Sequence, residues 1–464
     1  MAVASSNTAQ WSSRFAFTLT AIGSSVGLGN LWRFSAEAGN NGGGAFIALY
    51  LACVILIGIP TLMAEFLIGR AGKASSVVNS MQDLAERSNV STHWSLGAWV
   101  GMGSSFLILS FYAVVAAWVM AYIPKFLFGT FDGMDAIQIA AEFETLKDSP
   151  LALAPWFLIF LGLAIWLVSR GVNQGLEIAA RLLMPAFFIL LFCLTIYSLS
   201  LGWESGGTSE AVSFMFAPDW SKLSVNVAVR ALGQAFFSIG LGMAMMIAYG
   251  SYLPRSINVP QSAVIIGLAD TGVALMAGLA IFPIVFHFGL DFNAGAGLFF
   301  QTLPIALVST PGGNLVGAAF FCLAFFAALT TALALLEPTA EYLKERTGIT
   351  KKQGALYGGL AIMAMGTVCL FSIKFLDFLD VDVTATIMLP MSALIIVLFV
   401  GWRLDKAILA DQLNDGEQAL GRFLLVMVRY VAPFMIATIL FAGMHDRYYG
   451  LFVTLAKSVI TGII

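Results

Sequence analysis

The chain has 464 residues, 59% hydrophobic and 11% charged, with a formal net charge of −3. A soluble domain carries about 25% charged residues, so this composition excludes a soluble globular protein, and the weak negative charge leaves no basic field to hold nucleic acid. Three His, and four Cys (Cys53, Cys193, Cys322, Cys369) all inside apolar runs, fit neither a metal centre nor a disulfide framework.

The first residues, "MAVASSNTAQWSSR", have no basic segment leading into a short apolar core, and do not read as a removable signal peptide. About 20 apolar residues cross a bilayer. Windows of that kind predict eleven spans, at 14–37, 42–70, 96–125, 153–171, 176–201, 229–252, 262–289, 315–343, 354–373, 383–403 and 422–443. The last apolar run, 448–464, holds Lys457 in its middle and reads as a tail. The chain is thus expected to be an all-α integral membrane protein with one transmembrane domain over 1–464. With the N-terminus inside, 14 Lys and Arg fall on the cytoplasmic side and 8 on the other. That bias predicts a cytoplasmic N-terminus and, with eleven spans, an external C-terminus.

Span one carries "SVGLG" at 25–29, and span six carries "SIGLG" at 238–242, 213 residues later. Two glycines within three residues cost about 1 kcal/mol each relative to Ala in a helix. One such motif alone reads as a site of close helix packing. Two copies five spans apart lie in opposite membrane orientations, the pattern of an inverted repeat. The repeats would cover about 14–201 and 229–403, with an additional helix at about 422–443. Glycine-interrupted segments at matching places in two halves point to the binding site of a secondary transporter. A break frees carbonyls that suit a hard cation and N–H groups that suit a carboxylate, and lipid can satisfy neither.

Polar residues gather at the same depth: Asn30 after the first break, Ser238 opening the second, Asp270 in span seven, and Thr330 and Thr331 in span eight. An ionisable residue inside a membrane is a functional candidate because its charge is costly there. The plainer readings are a helix-end position for Asp270 and hydroxyl bonds to the local backbone for the threonines. Arg33 lies beyond the first break, and Asp377 and Asp380 lie in "FLDFLDVD" at the start of span ten. They read either as an ion-pair gate at a cavity mouth or as snorkelling side chains. Glu65 in span two suits hydrogen bonding to unwound backbone. Tyr112 and Phe237 suit either a pocket lining or ordinary packing. No Ser or Cys stands in a motif with a suitably placed His, so the chain does not read as an enzyme.

The runs "WSSRFAFTLTAIGSSVGLGNLWRF", "NGGGAF", "GIPTLMAEFLIGR", "GQAFFSIGLGMAM", "ALTTALALLEP" and "FLDFLD" resemble the neurotransmitter:sodium symporters over nearly the whole chain. Eleven spans are similar to the bacterial branch of amino-acid carriers, those of tyrosine and of multiple hydrophobic amino acids. The resemblance implies a LeuT-type 5+5 inverted repeat with helices one and six broken, set in a bacterial inner membrane as monomer or homodimer. It implies two sodium ions. The first site would use Ser25, Asn30, Ser238, Asp270 and the substrate carboxylate. The second would use the carbonyls of Gly23, Val26 and Ala327 and the hydroxyls of Thr330 and Thr331. The substrate carboxylate would meet Gly27, Gly29 and Tyr112. Its ammonium would meet the region of Ser24 and Ser25 and the carbonyls of Phe237 and Ser238. Ile108, Phe237, Gly240, Met243, Thr331 and Leu335 would shape the side-chain pocket. Arg33 and Asp380, above Tyr112 and Phe237, would close the outer side.

Three positions narrow this expectation. Monoamine carriers of the family have Asp where Gly27 stands, so Gly27 implies a substrate with its own carboxylate. Chloride-dependent relatives have Asn at Asp270 and Ser at Ala274, so a fixed charge at Asp270 implies chloride independence. Gly240 and the adaptable Met243 favour a bulky apolar side chain. The alternatives are another small zwitterion (a small amino acid, taurine-like or GABA-like) and a sodium-dependent sensor. One feature departs from the family. Its inner gate pairs an N-terminal Arg, three residues before Trp11, with the acid at Glu345, but that place holds Thr8. The inner gate must then be weaker or built differently. Gly175 and Pro185, with nine residues between them, have the spacing with which members unwind span five and admit water to the second sodium.

Overall fold

In the computed structural model the described residues are 10–72, 76–290, 297–413 and 418–461, and no strand occurs among them. Nine helices among the described residues are long and apolar enough to cross a membrane: Gly44–Ala71, Thr92–Leu127, Pro150–Ser169, Val172–Leu201, Val259–His287, Gly313–Thr347, Lys351–Phe371, Ile373–Arg403 and Ala419–His445. The other two predicted spans are those with the paired pentapeptides, and each is cut in two. Arg14–Ser25 is followed by Gly29–Arg33 and Phe34–Asn40, and Val225–Ile239 is followed by Met245–Ser251.

Local chemistry sets the helix ends. Ser13 accepts the Ala16 N–H at 3.1 Å and starts span one. Thr350 and Gln353 form a reciprocal capping box at the start of span nine. Gly348, at φ +72°, ends span eight in the left-handed region. Span five shows which surface meets lipid. Ile178, Leu182, Ile189, Phe192 and Ile196 are exposed, while Ala180, Met184, Phe187 and Leu191 are buried. A long exposed apolar face is stable against hydrocarbon and not against water. Span eight is buried along most of its length against spans three, five and nine.

Small residues bring backbones together where the site is built. A Cβ at Gly69 would lie 2.7 Å from Ser251 N, and one at Gly250 would lie 2.8 Å from the Phe66 carbonyl. The second half of span six therefore rests directly on span two.

Two boundaries differ from the sequence reading. Span ten begins at Ile373, ten residues before the predicted start at 383. Asp377 and Asp380 in its first turns face a vestibule and not lipid, where the hydropathy of the window is not the test. The run read as a tail is helical as far as Thr461, continuing the helix Ala432–Thr461. Short helices outside the spans, Val77–Arg87, Ala136–Lys147, Gly207–Phe216, Leu298–Val308 and Lys406–Leu413, connect the long ones.

Candidate functional site

The first break begins at Val26, which leaves the helix in extended conformation at ψ 98°. Its neighbours are satisfied by side chains from elsewhere. Asn30 Oδ1 accepts the Gly27 N–H at 3.0 Å, and the Tyr112 hydroxyl accepts the Leu28 N–H at 3.4 Å. Gln234 Nε2 donates to the Gly29 carbonyl at 3.2 Å, and the Thr331 hydroxyl to the Val26 carbonyl at 3.4 Å. The second break follows Ile239. Gly240 and Gly242 both have φ +75°, in the region open to glycine. Ala244 is also left-handed, at φ +57°, a strained conformation for a residue with a Cβ. Buried Glu65 accepts the Gly242 N–H at 2.8 Å, and the Ser105 hydroxyl donates to the Met243 carbonyl.

One polar cluster ties the two breaks to span seven. Asn30 Nδ2 donates to Ser238 Oγ at 2.8 Å and to Asp270 Oδ1 at 2.9 Å, and Ser238 Oγ donates to Asp270 Oδ2 at 2.7 Å. The Tyr50 hydroxyl lies 3.2 Å from Ser238 Oγ. Asp270 is fully buried, and among the described residues no Lys, Arg or His forms an ion pair with it. A buried carboxylate held only by neutral donors calls for a cation. The Ser238 hydroxyl and the Asp270 carboxylate are oxygen donors that suit a hard ion, and Asn30, which turns its Nδ2 to them here, would add its amide oxygen by turning over. No group of three His, Cys, Asp or Glu placed to hold a metal occurs among the described residues.

A second group lies where span one meets spans five and eight. The Thr330 hydroxyl donates to the carbonyls of Phe326 at 3.0 Å and Ala327 at 3.1 Å. A Cβ at Gly23 would stand 3.5 Å from Thr330 Cβ and 2.8 Å from Met184 Sδ. Gly23, Val26, Ala327, Thr330 and Thr331 are therefore neighbours, with Met184 of span five laid against Gly23. The hydroxyls of Ser24 and Ser25 turn back to their own helix, onto the carbonyls of Ala21 and, for Ser25, Ile22.

Between the breaks is a cavity of about 30 Å³. All the residues given above as substrate contacts line it: Ser24, Ser25, Gly27, Gly29, Ile108, Tyr112, Phe237, Ser238, Gly240, Met243, Thr331 and Leu335. Leu28, Asn30 and Met245 complete it. The space that Gly240 leaves is occupied by the Met245 methyl in this conformation. Above it opens a vestibule of about 400 Å³, with Leu28, Gly29, Tyr112 and Phe237 belonging to both. Arg33 stacks on the Phe237 ring at 4.3 Å. Arg33 and Asp380 both face the vestibule, yet no ion pair joins them, and Asp380 Oδ1 has no hydrogen-bond partner among the described residues.

The face that carries Trp11 is packed shut. Trp11 is 4% exposed, and its indole N–H donates to the Tyr249 carbonyl at 3.0 Å. Its ring meets Tyr249 and Tyr252 edge-on at 5.3 and 6.0 Å. The Tyr252 hydroxyl donates to Glu337 at 2.7 Å, and Lys351 pairs with Glu337 at 2.6 Å. Glu345 is exposed and accepts the Ser76 N–H at 2.6 Å, so it is engaged away from Trp11. Thr8 lies outside the described residues. Gly175 sits in a wide turn against the Leu167 carbonyl, and Pro185 lies inside the helix Glu177–Leu201, so the start of span five is wound here. Sequence reasoning missed Glu177, Met184, Gln234, Met245 and Lys351. The charge in "GLEIAARLLMP" was the one readable sign of Glu177; Met184 and Met245 look like any apolar residue.

Paired helix breaks of an inverted repeat, meeting at buried oxygen donors, define a multi-pass membrane protein built as a secondary transporter. The sequence model of the sodium:neurotransmitter symporter family matches residues 8–133 and 134–451. An uncharacterized sodium-dependent transporter of Bacillus subtilis, YhdH, is 34% identical over 441 residues, 92% of this chain and 96% of that protein. One from Haemophilus influenzae is 30% identical, over 94% of this chain and 98% of its own. The crystal structure of MhsT in complex with L-phenylalanine is 36% identical, covers 94% of this chain and 99% of that one, and superimposes with a TM-score of 0.84. The chain belongs to the sodium:neurotransmitter symporter family, whose members are transporters and not enzymes.

Proposed function

We propose that the protein imports a hydrophobic or aromatic α-amino acid together with two sodium ions, without chloride, by alternating access across a bacterial inner membrane. The N-terminal face is cytoplasmic in this reading. The observation that carries it is the space at Gly27. A Cβ there would lie 3.0 Å from Thr331 Oγ1 and 3.4 Å from the Tyr112 hydroxyl, so a side chain at 27 would crowd the hydroxyls, and its absence leaves the Gly27 backbone and the Tyr112 hydroxyl open to a substrate carboxylate. One sodium would bind at Asp270, Asn30, Ser238 and the Ser25 carbonyl, completing its shell with that carboxylate. The other would bind at Gly23, Val26, Ala327, Thr330 and Thr331. Asp270 supplies the fixed charge that chloride supplies in chloride-dependent relatives. MhsT, which is similar over nearly its whole length, holds L-phenylalanine in its crystal structure.

A bulky side chain requires Met243 and Met245 to swing away, which unbranched thioethers do at low cost. A smaller amino acid is the second reading, favoured by the Met245 methyl in the Gly240 space. Arg33 meeting Asp380 would close the vestibule above Tyr112 and Phe237. Two charges crossing 100 mV contribute about 4.6 kcal/mol, enough for roughly a thousandfold accumulation. The test is uptake of labelled amino acids into proteoliposomes with an imposed sodium gradient. Uptake indifferent to sodium would overturn the symport reading. Preference for alanine or glycine over leucine and phenylalanine would select the smaller substrate.

A further inference from the structure

Glu177 is 2% exposed and stands directly after the wide turn Val172–Leu176 of span five. Both its oxygens are engaged with the N-terminal segment. Oε1 accepts the Ser12 N–H at 2.7 Å and Asn173 Nδ2 at 3.1 Å; Oε2 accepts the Ser12 hydroxyl at 2.6 Å and the Arg181 guanidinium at 3.2 Å. The outer members of this set also hold the strap. Asn173 Nδ2 donates to the Gln10 carbonyl at 3.0 Å, and Arg181 donates to Ser12 Oγ at 2.6 Å. On one side of Ser12, Trp11 is buried on Tyr249; on the other, Ser13 caps span one. Further along span five, Met184 lies against Gly23 of span one.

We propose that Glu177 is a positioning residue for the transport cycle. Its carboxylate latches the N-terminal strap closed and holds the first turns of span five wound, so that the two open together. The same two oxygens serve both parts. When Ser12 departs, Glu177 keeps Arg181 and Asn173 but loses half its donors. A buried carboxylate left short of partners draws in water, and water reaches it most readily when the turn before Pro185 loosens. That loosening carries Met184 off Gly23. The inference rests on the symport reading only in this last step, where exposure of Gly23 would release an ion. It also gives the N-terminal face a closing device that needs no Arg at position 8.

The test is hydrogen–deuterium exchange on the full chain in nanodiscs, with no substrate and no gradient. Glu177→Gln is expected to speed exchange in both 10–25 and 172–186 about tenfold, equivalent to about 1.4 kcal/mol of opening, and to leave 29–40 and 225–239 unchanged. Ser12→Ala is expected to give a smaller rise in both segments, and no further rise in the Glu177→Gln background. A rise confined to one segment, no rise, or additive effects of the two substitutions would overturn the latch. Ser12 lies outside any helix, so if Glu177→Gln does not fold, Ser12→Ala alone decides by whether one segment or both respond. Because exchange is read without transport, a failure of sodium-driven uptake would count against the proposed function and leave this result standing.

Discussion

Replacing Gly27 with Ala places one methyl in the space assigned to the substrate carboxylate. Gly27 is not among the glycines with positive φ, so the backbone accepts Ala and the effect is steric. The methyl would sit 3.0 Å from Thr331 Oγ1 and 3.4 Å from the Tyr112 hydroxyl, where ordinary contacts begin at 3.4 Å. Thr331 has to give way by a few tenths of an ångström before any substrate arrives, and the substrate then meets the methyl as well. Overpacking of this kind costs about 1–3 kcal/mol, which corresponds to a roughly fivefold to hundredfold weaker Kd for the amino acid. The assay is equilibrium binding of a labelled amino acid to purified protein in saturating sodium, with thermal unfolding as the control for folding. An Ala variant that binds its amino acid as tightly as wild type would refute the placement of the carboxylate.

At the proposed site, sodium bound to Asp270 would add about 2.7 kcal/mol of stability at a concentration a hundred times Kd. Asp270→Ala should therefore lose that site's share of the difference between thermal melts in sodium and in choline, the second site keeping the rest, and an unchanged difference would remove Asp270 from the ion site. Uptake by the wild type should survive replacement of chloride by gluconate, whereas Asp270→Asn combined with Ala274→Ser should become chloride-sensitive; indifference of the double variant argues against the substitute-charge reading. Glu65→Ala strands the Gly242 N–H inside the second break, at a cost of about 1–3 kcal/mol, seen as a lower melting temperature; a melt equal to wild type would mean that the break does not depend on this bond. An amine lacking the carboxylate should compete far less well than its parent amino acid, and equal competition would count against Gly27 as the reason for substrate class.

The breaks were legible in the sequence because glycine pairs inside apolar runs have few explanations, and repeating them at matching places in two halves leaves fewer. Asp270 and Glu65 were legible for a related reason: a carboxylate is conspicuous where everything around it is apolar. The early start of span ten was not legible, since hydropathy cannot tell an acid facing lipid from one facing an internal cavity.

Composition and periodicity by themselves determined an all-α membrane chain, its spans to within a few residues at most ends, and the two places where helices give way. Those features are written in local residue chemistry: apolar length, glycine conformational freedom, capping side chains. The tertiary structure decided everything that depends on which distant residues meet. It placed Met245 in the space beside Gly240, laid Met184 over Gly23, kept Arg33 on Phe237 and apart from Asp380, and folded the N-terminal strap onto Glu177. Apart from Met245, which follows Gly240 by five residues, these relations join segments far apart in the chain, with no period or motif to announce them, and only packing selects them.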